Sequence, residues 1–233
     1  PASITLRKGP IAASSSKFGG SSFVFSIPED ITVPVFDGIA TFDDIKIYEG
    51  ILLTSNFTFT SRNPNQKFIL PNSGIDTNLI NVMVKSNEQS TSRVKYLLQD
   101  NLLEIDSDSK IFFIQEIEGE RYEVFFGDGI FGHALEEGNF ITIDYISSNG
   151  DTANGSSQFS FSGRLSYNRN GVEFTVTTGI SLVTTISPSS GGQNIEDVES
   201  IRKFAPKIYA TQNRAVTTDD YETLIPSKIY PET

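Results

Sequence analysis

Apolar and polar residues alternate in short windows along most of the chain, and glycine, asparagine and proline separate the windows. A period of two, rich in β-branched and aromatic residues, is typical of half-buried strands. The windows that fit are 23–27, 31–36, 40–48, 52–60, 67–70, 81–85, 111–116, 121–126, 140–146, 158–165, 172–178 and 181–186. No helical pattern separates them, so the chain is predicted to be mainly β, with antiparallel sandwich or barrel-like domains of undetermined strand order.

Two stretches rich in serine and glycine interrupt this pattern. Residues 12–22 lack an apolar period, which predicts a flexible, linker-like start over residues 1–22. A similar break at 187–192 indicates a boundary near position 190. We therefore expect a β-rich region at 23–190, in one or two subdomains, followed by a small C-terminal helical segment at 191–233.

The C-terminal segment predicts two short helices with a fixed connection between them. The first begins near Asn194, and four residues at helical spacing form its apolar face: Ile195, Val198, Ile201 and Phe204. Pro206 cannot donate a backbone hydrogen bond and disfavours helical dihedrals in the preceding residue, so we expect this helix to stop there. Thr217, followed three positions later by Asp220, is typical of the start of a second helix.

Charge and composition narrow the range of partners. The chain has 18 Lys and Arg against 29 Asp and Glu, a net charge of −11, which repels nucleic acid and anionic membranes. It has no cysteine, and no apolar run approaches the roughly 20 residues of a membrane span. We expect no nucleic-acid partner and no direct membrane insertion. Because the chain begins with Pro1 rather than Met, we also expect it to be a fragment of a longer polypeptide.

A glycine-rich run at 127–132 satisfies the dinucleotide-binding spacing G-x-G-x-x-G. That fingerprint requires a helix that begins within it and a crossover to a further strand, whereas here a β-branched window follows too soon. Gly127, Asp128 and Gly129 instead predict a hairpin turn after the strand at 121–126, because Asp and Gly accept positive φ.

The other candidate catalytic groups have simpler interpretations. Asp106-Ser107-Asp108-Ser109 begins like a calcium loop, but Ile111 stands where the glycine is needed, and a solvated turn is expected. His133 is the only histidine, no nucleophile motif accompanies it, and a zinc site without cysteine is disfavoured. We expect no enzyme activity, no cofactor, no metal and no small-molecule substrate.

Two motifs follow one another along the C-terminal half of the chain. The first is Phe126-Gly127-Asp128-Gly129, with Gly138 and a strand ending in Tyr145 after it. The second combines Ala205-Pro206, Asn213-Arg214-Ala215-Val216-Thr217 and Asp220-Tyr221. With these motifs the chain resembles the baseplate J-like family, the wedge and inner-ring subunits of contractile phage tails and related injection machines.

The resemblance implies a structural subunit of a phage tail baseplate, which joins a ring around the tail tube and changes its packing when the sheath contracts. It further implies a late protein of the virion that is assembled in the host cytoplasm. Its partners would be other baseplate wedge proteins and copies of itself, as a homodimer or ring.

Arg214 is the first candidate for an assembly or loop-anchoring role within the second motif. Its guanidinium can bridge several carbonyls or carboxylates, either as a clamp within the interhelix loop or as a contact to a neighbouring subunit. The clamp is the favoured interpretation. The further candidates in the same segment are Tyr209, Asn213, Asp220 and Tyr221.

Two other functions remain open at this point. One is a β-rich receptor- or glycan-binding module of a tail appendage, for which an exposed aromatic cluster is expected. The other is a tail-associated glycosidase that uses Glu116, Glu118 or Glu120, although three like charges on one strand face are more typical of a solvated surface.

Overall fold

The computed structural model describes residues 1–15, 22–63, 65–99, 105–182, 187–194, 198–211, 214 and 216–218. The strands are β1 (Ser3–Leu6), β2 (Gly9–Ser15), β3 (Ser22–Ile27), β4 (Ile31–Pro34), β5 (Tyr48–Glu49), β6 (Ile51–Thr58), β7 (Phe68–Leu70), β8 (Asn81–Lys85), β9 (Val94–Leu98), β10 (Ile111–Ile117), β11 (Arg121–Phe126), β12 (Phe140–Ser147), β13 (Phe159–Phe161), β14 (Leu165–Arg169) and β15 (Val172–Val176). Short 3₁₀ turns lie at Thr77–Leu79 and Gly150–Ala153, and one α-helix, α1, spans Val198–Thr211.

Two four-stranded antiparallel sheets form a sandwich. Their strand orders are β15-β14-β1-β4 and β13-β2-β3-β5. Alternate residues of both sheets point between them, as the pleat requires. The buried cluster that results is Leu6, Ile11, Ala12, Phe23, Phe25, Ile27, Ala153 and Leu165.

Seven further strands form a nearly closed, barrel-like sheet in the order β6-β12-β8-β9-β10-β11-β7, which we call the barrel sheet. Its pairs are antiparallel except β9 with β10. Phe57 on edge strand β6 packs edge-on against Phe68 on edge strand β7, with ring centroids 5.5 Å apart, so the two edges approach each other. The interior is a second buried cluster that includes Phe112, Val124 and Ile143.

The barrel sheet lies between two parts of the sandwich in sequence. β1–β5 and β13–β15 form the sandwich, and β6–β12 form the barrel sheet. The chain therefore passes between them twice, at Gly50 and at residues 148–150. Because Ile51 on β6 pairs with Ser147 on β12, the two crossings lie side by side.

The prediction of a mainly β, antiparallel protein with a short C-terminal helix is confirmed. The predicted strand at 40–48 is wrong except at its end, where β5 begins. Asp44 has a φ of +53°, which interrupts an extended strand. The apolar residues of this window, Phe42, Ile45 and Ile47, instead pack against the sandwich core from an irregular segment. The window at 181–186 lies partly outside the described residues.

The flexible start expected over residues 1–22 is wrong for β1 and β2. β2 is a central strand that pairs with both β13 and β3, and its small side chains fit between the sheets. Ser14 is buried there although it is polar. The boundary near position 190 and the division into subdomains stay predictions.

The expected helix stop at Pro206 is also wrong, because α1 continues through it to Thr211. The proline removes the hydrogen bond that its N–H would give to the carbonyl of Arg202. Arg202 is exposed, so water can satisfy that carbonyl and the helix tolerates the loss. Within the described part of the chain, no helix has the length and apolar character needed to cross a membrane.

Candidate assembly surfaces

The run at 127–132 forms a compact loop at the end of β11. The Asp128 carboxylate accepts hydrogen bonds from the backbone N–H of Ile130 at 2.9 Å and of Phe131 at 2.8 Å. Gly129 has a φ of +88°, and its N–H donates to the Gly132 carbonyl at 2.9 Å. The donors from Phe131 and Ile130 lower the pKa of Asp128, because they stabilise its charged form.

This loop turns the chain but does not close a hairpin, so the predicted hairpin is corrected. β11 pairs with β10 and β7, whereas the next strand, β12, pairs with β6 and β8. The loop therefore connects two strands that are not neighbours. It folds back over Ile111, which it buries. The element that follows it is a strand, in contrast to the helix that a dinucleotide fingerprint requires.

A second turn, at 106–109, packs against this loop. The Asp106 carboxylate accepts from the Ser109 hydroxyl at 2.6 Å and from the Asp108 N–H at 3.0 Å, and the Ser109 contact leads the causes that lower the pKa of Asp106. The Asp106 carbonyl accepts from the Gly132 N–H at 3.0 Å, and the Ser109 carbonyl from the His133 N–H at 2.8 Å. The Asp106 carboxylate thus fixes its own turn, and backbone hydrogen bonds hold the two loops together.

Exposed apolar side chains lie at the tips of two loops, at 127–132 and at 36–39. On the loop at 127–132, Ile130 is 70% exposed beside Phe131. At 36–39, Phe36 and Ile39 exchange two backbone hydrogen bonds of 2.9 and 2.8 Å around Asp37 and Gly38, which both have positive φ. Phe36 and Ile39 are 73% and 67% exposed. Sequence reasoning missed this second tip, although Asp-Gly between two apolar residues is its signal.

The described part of α1 is largely exposed. Ile201 and Tyr209 face solvent, Tyr209 with 87% exposure. Thr211 at the helix end is buried, and its hydroxyl donates to the Ile208 carbonyl at 2.8 Å. The Arg214 N–H donates to the Thr211 carbonyl at 2.9 Å, which turns the chain at the end of the helix.

Four of the other C-terminal candidates lie outside the described residues: Ile195, Asn213, Asp220 and Tyr221. The side chains of Val198 and Phe204, which were expected on the apolar face of the helix, also lie outside the described part. The apolar face of the helix and the anchoring role of Arg214 stay predictions.

Hydrogen bonds hold the segment before α1 to the sandwich. The Asn154 side chain donates to the Gly192 carbonyl at 2.8 Å and accepts from the Gly192 N–H at 3.0 Å. The Ser189 hydroxyl donates to the Ala153 carbonyl at 2.5 Å.

The segment before α1 also borders an open cleft of about 570 Å³ with a largely polar lining, to which Asp76 and Glu120 contribute. Small-molecule sites are mostly apolar, so the cleft differs from them.

No protein-family model matches the chain. The chain is similar to the baseplate wedge protein gp6 of Enterobacteria phage T4, with 25% identity over 199 residues. The similarity covers 79% of this chain, which spans only 28% of the length of that relative. This distant similarity suggests a baseplate-related protein.

Proposed function

We propose that the chain is part of a structural subunit of a contractile phage tail baseplate. The observation that carries the proposal is the similarity to a baseplate wedge protein over 79% of the chain. The subunit takes its place in the wedge or inner ring, and it transmits the rearrangement of the baseplate when the sheath contracts. Its location is the virion tail, after assembly in the host cytoplasm late in infection.

The geometry is compatible with a mechanical role. The carboxyl groups with clearly displaced pKa values among the described residues, those of Asp106, Asp128, Glu137 and Glu173, all have lowered values. Each of these four carboxylates accepts hydrogen bonds from nearby side-chain or backbone groups, which is a structural use of the charge. We place no catalytic step, cofactor or small-molecule substrate on this chain.

Assembly partners would be other baseplate wedge proteins and further copies of the chain, as a homodimer or ring. The surface that best fits such contacts is the exposed side of α1 with Ile201 and Tyr209, because exposed aromatic and aliphatic side chains commonly anchor interfaces. The apolar tips at 36–39 and 127–132 offer additional contact points.

Isolation of tails with an epitope-tagged chain tests the proposal directly. We expect the tag at the baseplate in electron micrographs, and its absence from intact tails would refute the function.

Sedimentation velocity across concentration tests self-association. The double variant Ile201→Ser, Tyr209→Ser should weaken self-association, whereas Leu182→Ser, at an exposed position outside α1, should not. A monomer at high micromolar concentration would exclude the homodimer or ring but not assembly with other proteins.

A receptor- or glycan-binding tail module is the second candidate function. Tyr167 on β14 and Phe174 on β15 stack with ring centroids 5.4 Å apart, and Phe174 is exposed, so the hairpin presents an aromatic surface. Sugar rings pack against such surfaces through their apolar faces. A glycan array that shows binding by the chain and its loss in Phe174→Ser would support this function over the structural one.

A further inference from the structure

A charged pair joins the sandwich to the barrel sheet. Asp144 lies on β12 between Ile143 and Tyr145, both of which point into the barrel core, so the Asp144 side chain points out of the barrel sheet. It is nevertheless only 2% exposed. The Lys8 ammonium, on the connection between β1 and β2 of the sandwich, pairs with one Asp144 carboxylate oxygen, and the Thr54 hydroxyl donates to the other at 2.6 Å.

The two hydrophobic clusters do not merge across this junction. Each buried cluster draws its members from one side, the sandwich or the barrel sheet. Between them, β2 and β3 lie against β6, and Ile146, on the same face of β12 as Asp144, is fully buried. The contact between the two parts therefore includes a buried carboxylate as well as apolar side chains.

The covalent connections between the two parts are short and adjacent. At the first crossing, Gly50 has a φ of +122°; at the second, Gly150 has a φ of +74°. The Glu49 carboxylate spans the two crossings by accepting from the Asn149 N–H at 2.9 Å and from its side-chain amide at 2.7 Å. Because both crossings are short and lie side by side, a change in the relative orientation of the two parts has to take place at these residues.

We propose that the Lys8–Asp144 pair is a latch: while it is closed the sandwich and the barrel sheet keep one relative orientation, and when it opens they pivot about the paired crossings. The latch is asymmetric. The Lys8 side chain is 40% exposed and can return to water, whereas Asp144 loses the ammonium that compensates its charge and stays buried until the junction separates. Closure therefore depends on the cost of leaving Asp144 unpaired. The proposal does not rest on the baseplate role.

Pairs of spin labels can report the relative orientation of the sandwich and the barrel sheet. Only the introduced cysteines will take the label, because the chain itself contains no cysteine. We would place cysteines at two exposed strand positions, Thr175 on β15 and Gln115 on β10, and measure their distance distribution by double electron–electron resonance. The parent should give one narrow distribution. Lys8→Met and Asp144→Asn should each add a second distance, with the open population rising from below about 1% to about 10% or more.

Lys95→Met is the matched control, because it removes an ion pair between the same two parts, Lys95 with Glu29, in which both side chains are about half exposed. An exposed pair contributes little, so the distribution should stay narrow. Narrow distributions in both Lys8→Met and Asp144→Asn, in folded protein, would overturn the latch even if thermal stability fell. If Asp144→Asn does not fold, Lys8→Met and Thr54→Val decide the question by the same measurement.

Discussion

Gly127 lies so close to Gly132 that a methyl group on Gly127 would be 2.2 Å from the Gly132 carbonyl carbon. No pair of non-bonded carbon atoms can approach to that distance, so the loop at 127–132 can fold back on the end of β11 only while position 127 has no side chain. The loop in turn covers Ile111 on β10, so a substitution at Gly127 that displaces the loop also disturbs packing against the barrel sheet.

We therefore predict that Gly127→Ala lowers the free energy of unfolding by about 3 kcal/mol, from overpacking against backbone that cannot move aside. Gly138→Ala is the control, because Gly138 has a φ of +84° but no atom within 4 Å of the added methyl group. Its cost is backbone strain alone, about 1 kcal/mol. Urea unfolding of both variants measures the difference, and equal losses would contradict the close approach.

Position 129 tests the backbone conformation of the same loop. Gly129 has a φ of +88°, a region that β-branched residues avoid, while its nearest neighbour for an added Cβ, Ala134, is at an ordinary 3.7 Å. Gly129→Val should thus lower stability by about 2 kcal/mol, mainly from strain. Gly129→Asn should recover much of this loss, since asparagine tolerates positive φ, and thermal melting of the two variants would show it. A valine variant as stable as the asparagine variant would argue against strain.

The class of the fold could be predicted from the sequence because strand alternation is a local property. The arrangement of the strands could not. Ile51 pairs with Ser147 almost a hundred positions away, and no local pattern specifies such a partner. β2 was missed because its residues are mostly small and Ile11 is its one large apolar residue, so no alternating pattern marks it; its place in the core depends on pairing with β3 and β13.

The same limit applies to the candidate sites. The turn residues Asp106 and Asp128 could be identified, since they bond backbone groups within three positions. Asp144 could not, because alternation alone places it on a solvated strand face. It becomes buried only when the sandwich brings Lys8 to it from 136 positions away.

Acid should destabilise the protein through a defined set of carboxyl groups. Hydrogen bonds from Ser109 to Asp106, Phe131 to Asp128, Ser61 to Glu137 and Arg7 to Glu173 lead the causes that lower these pKa values from 3.8 for aspartate and 4.5 for glutamate. At a given acidic pH the unfolded chain then binds more protons than the folded one, so stability rises with pH. The contribution is present above about pH 4.5 and is lost as the pH falls through the lowered values.

The urea midpoint between pH 6 and pH 2.5 measures this dependence. Asp128→Asn is an informative variant, because an amide oxygen can still accept the two backbone hydrogen bonds but cannot be protonated in this range. Its stability at pH 6 should stay near that of the parent, and its loss at low pH should be smaller. A parent midpoint that does not change below pH 4.5 would show that these hydrogen bonds do not persist in solution.

Substitution of Arg214 tests the role of the C-terminal motif. The Arg214 N–H donates to the Thr211 carbonyl, and Thr211 is buried at the end of α1, so the residue is placed where the chain leaves the helix. Arg214 is exposed, so we predict that Arg214→Ala lowers the stability of the isolated chain by less than about 1 kcal/mol, and a larger loss in assembly requires a neighbouring subunit to cover the guanidinium. Arg214→Lys should be nearly silent in melting of the isolated chain, because an exposed guanidinium loses little when its planar fork of donors is replaced.

Thermal melting and assembly with purified wedge proteins distinguish the two roles considered for Arg214. A clamp within the chain lowers the melting temperature of the isolated chain and thereby assembly. A contact to a neighbouring subunit leaves melting unchanged and weakens assembly alone. Arg202→Ala is the control, since Arg202 is a cation on the preceding helix α1 that pairs with exposed Glu199 at 2.5 Å, and such an exposed pair contributes little. If Arg214→Ala matches the parent in both assays, the anchoring role is wrong.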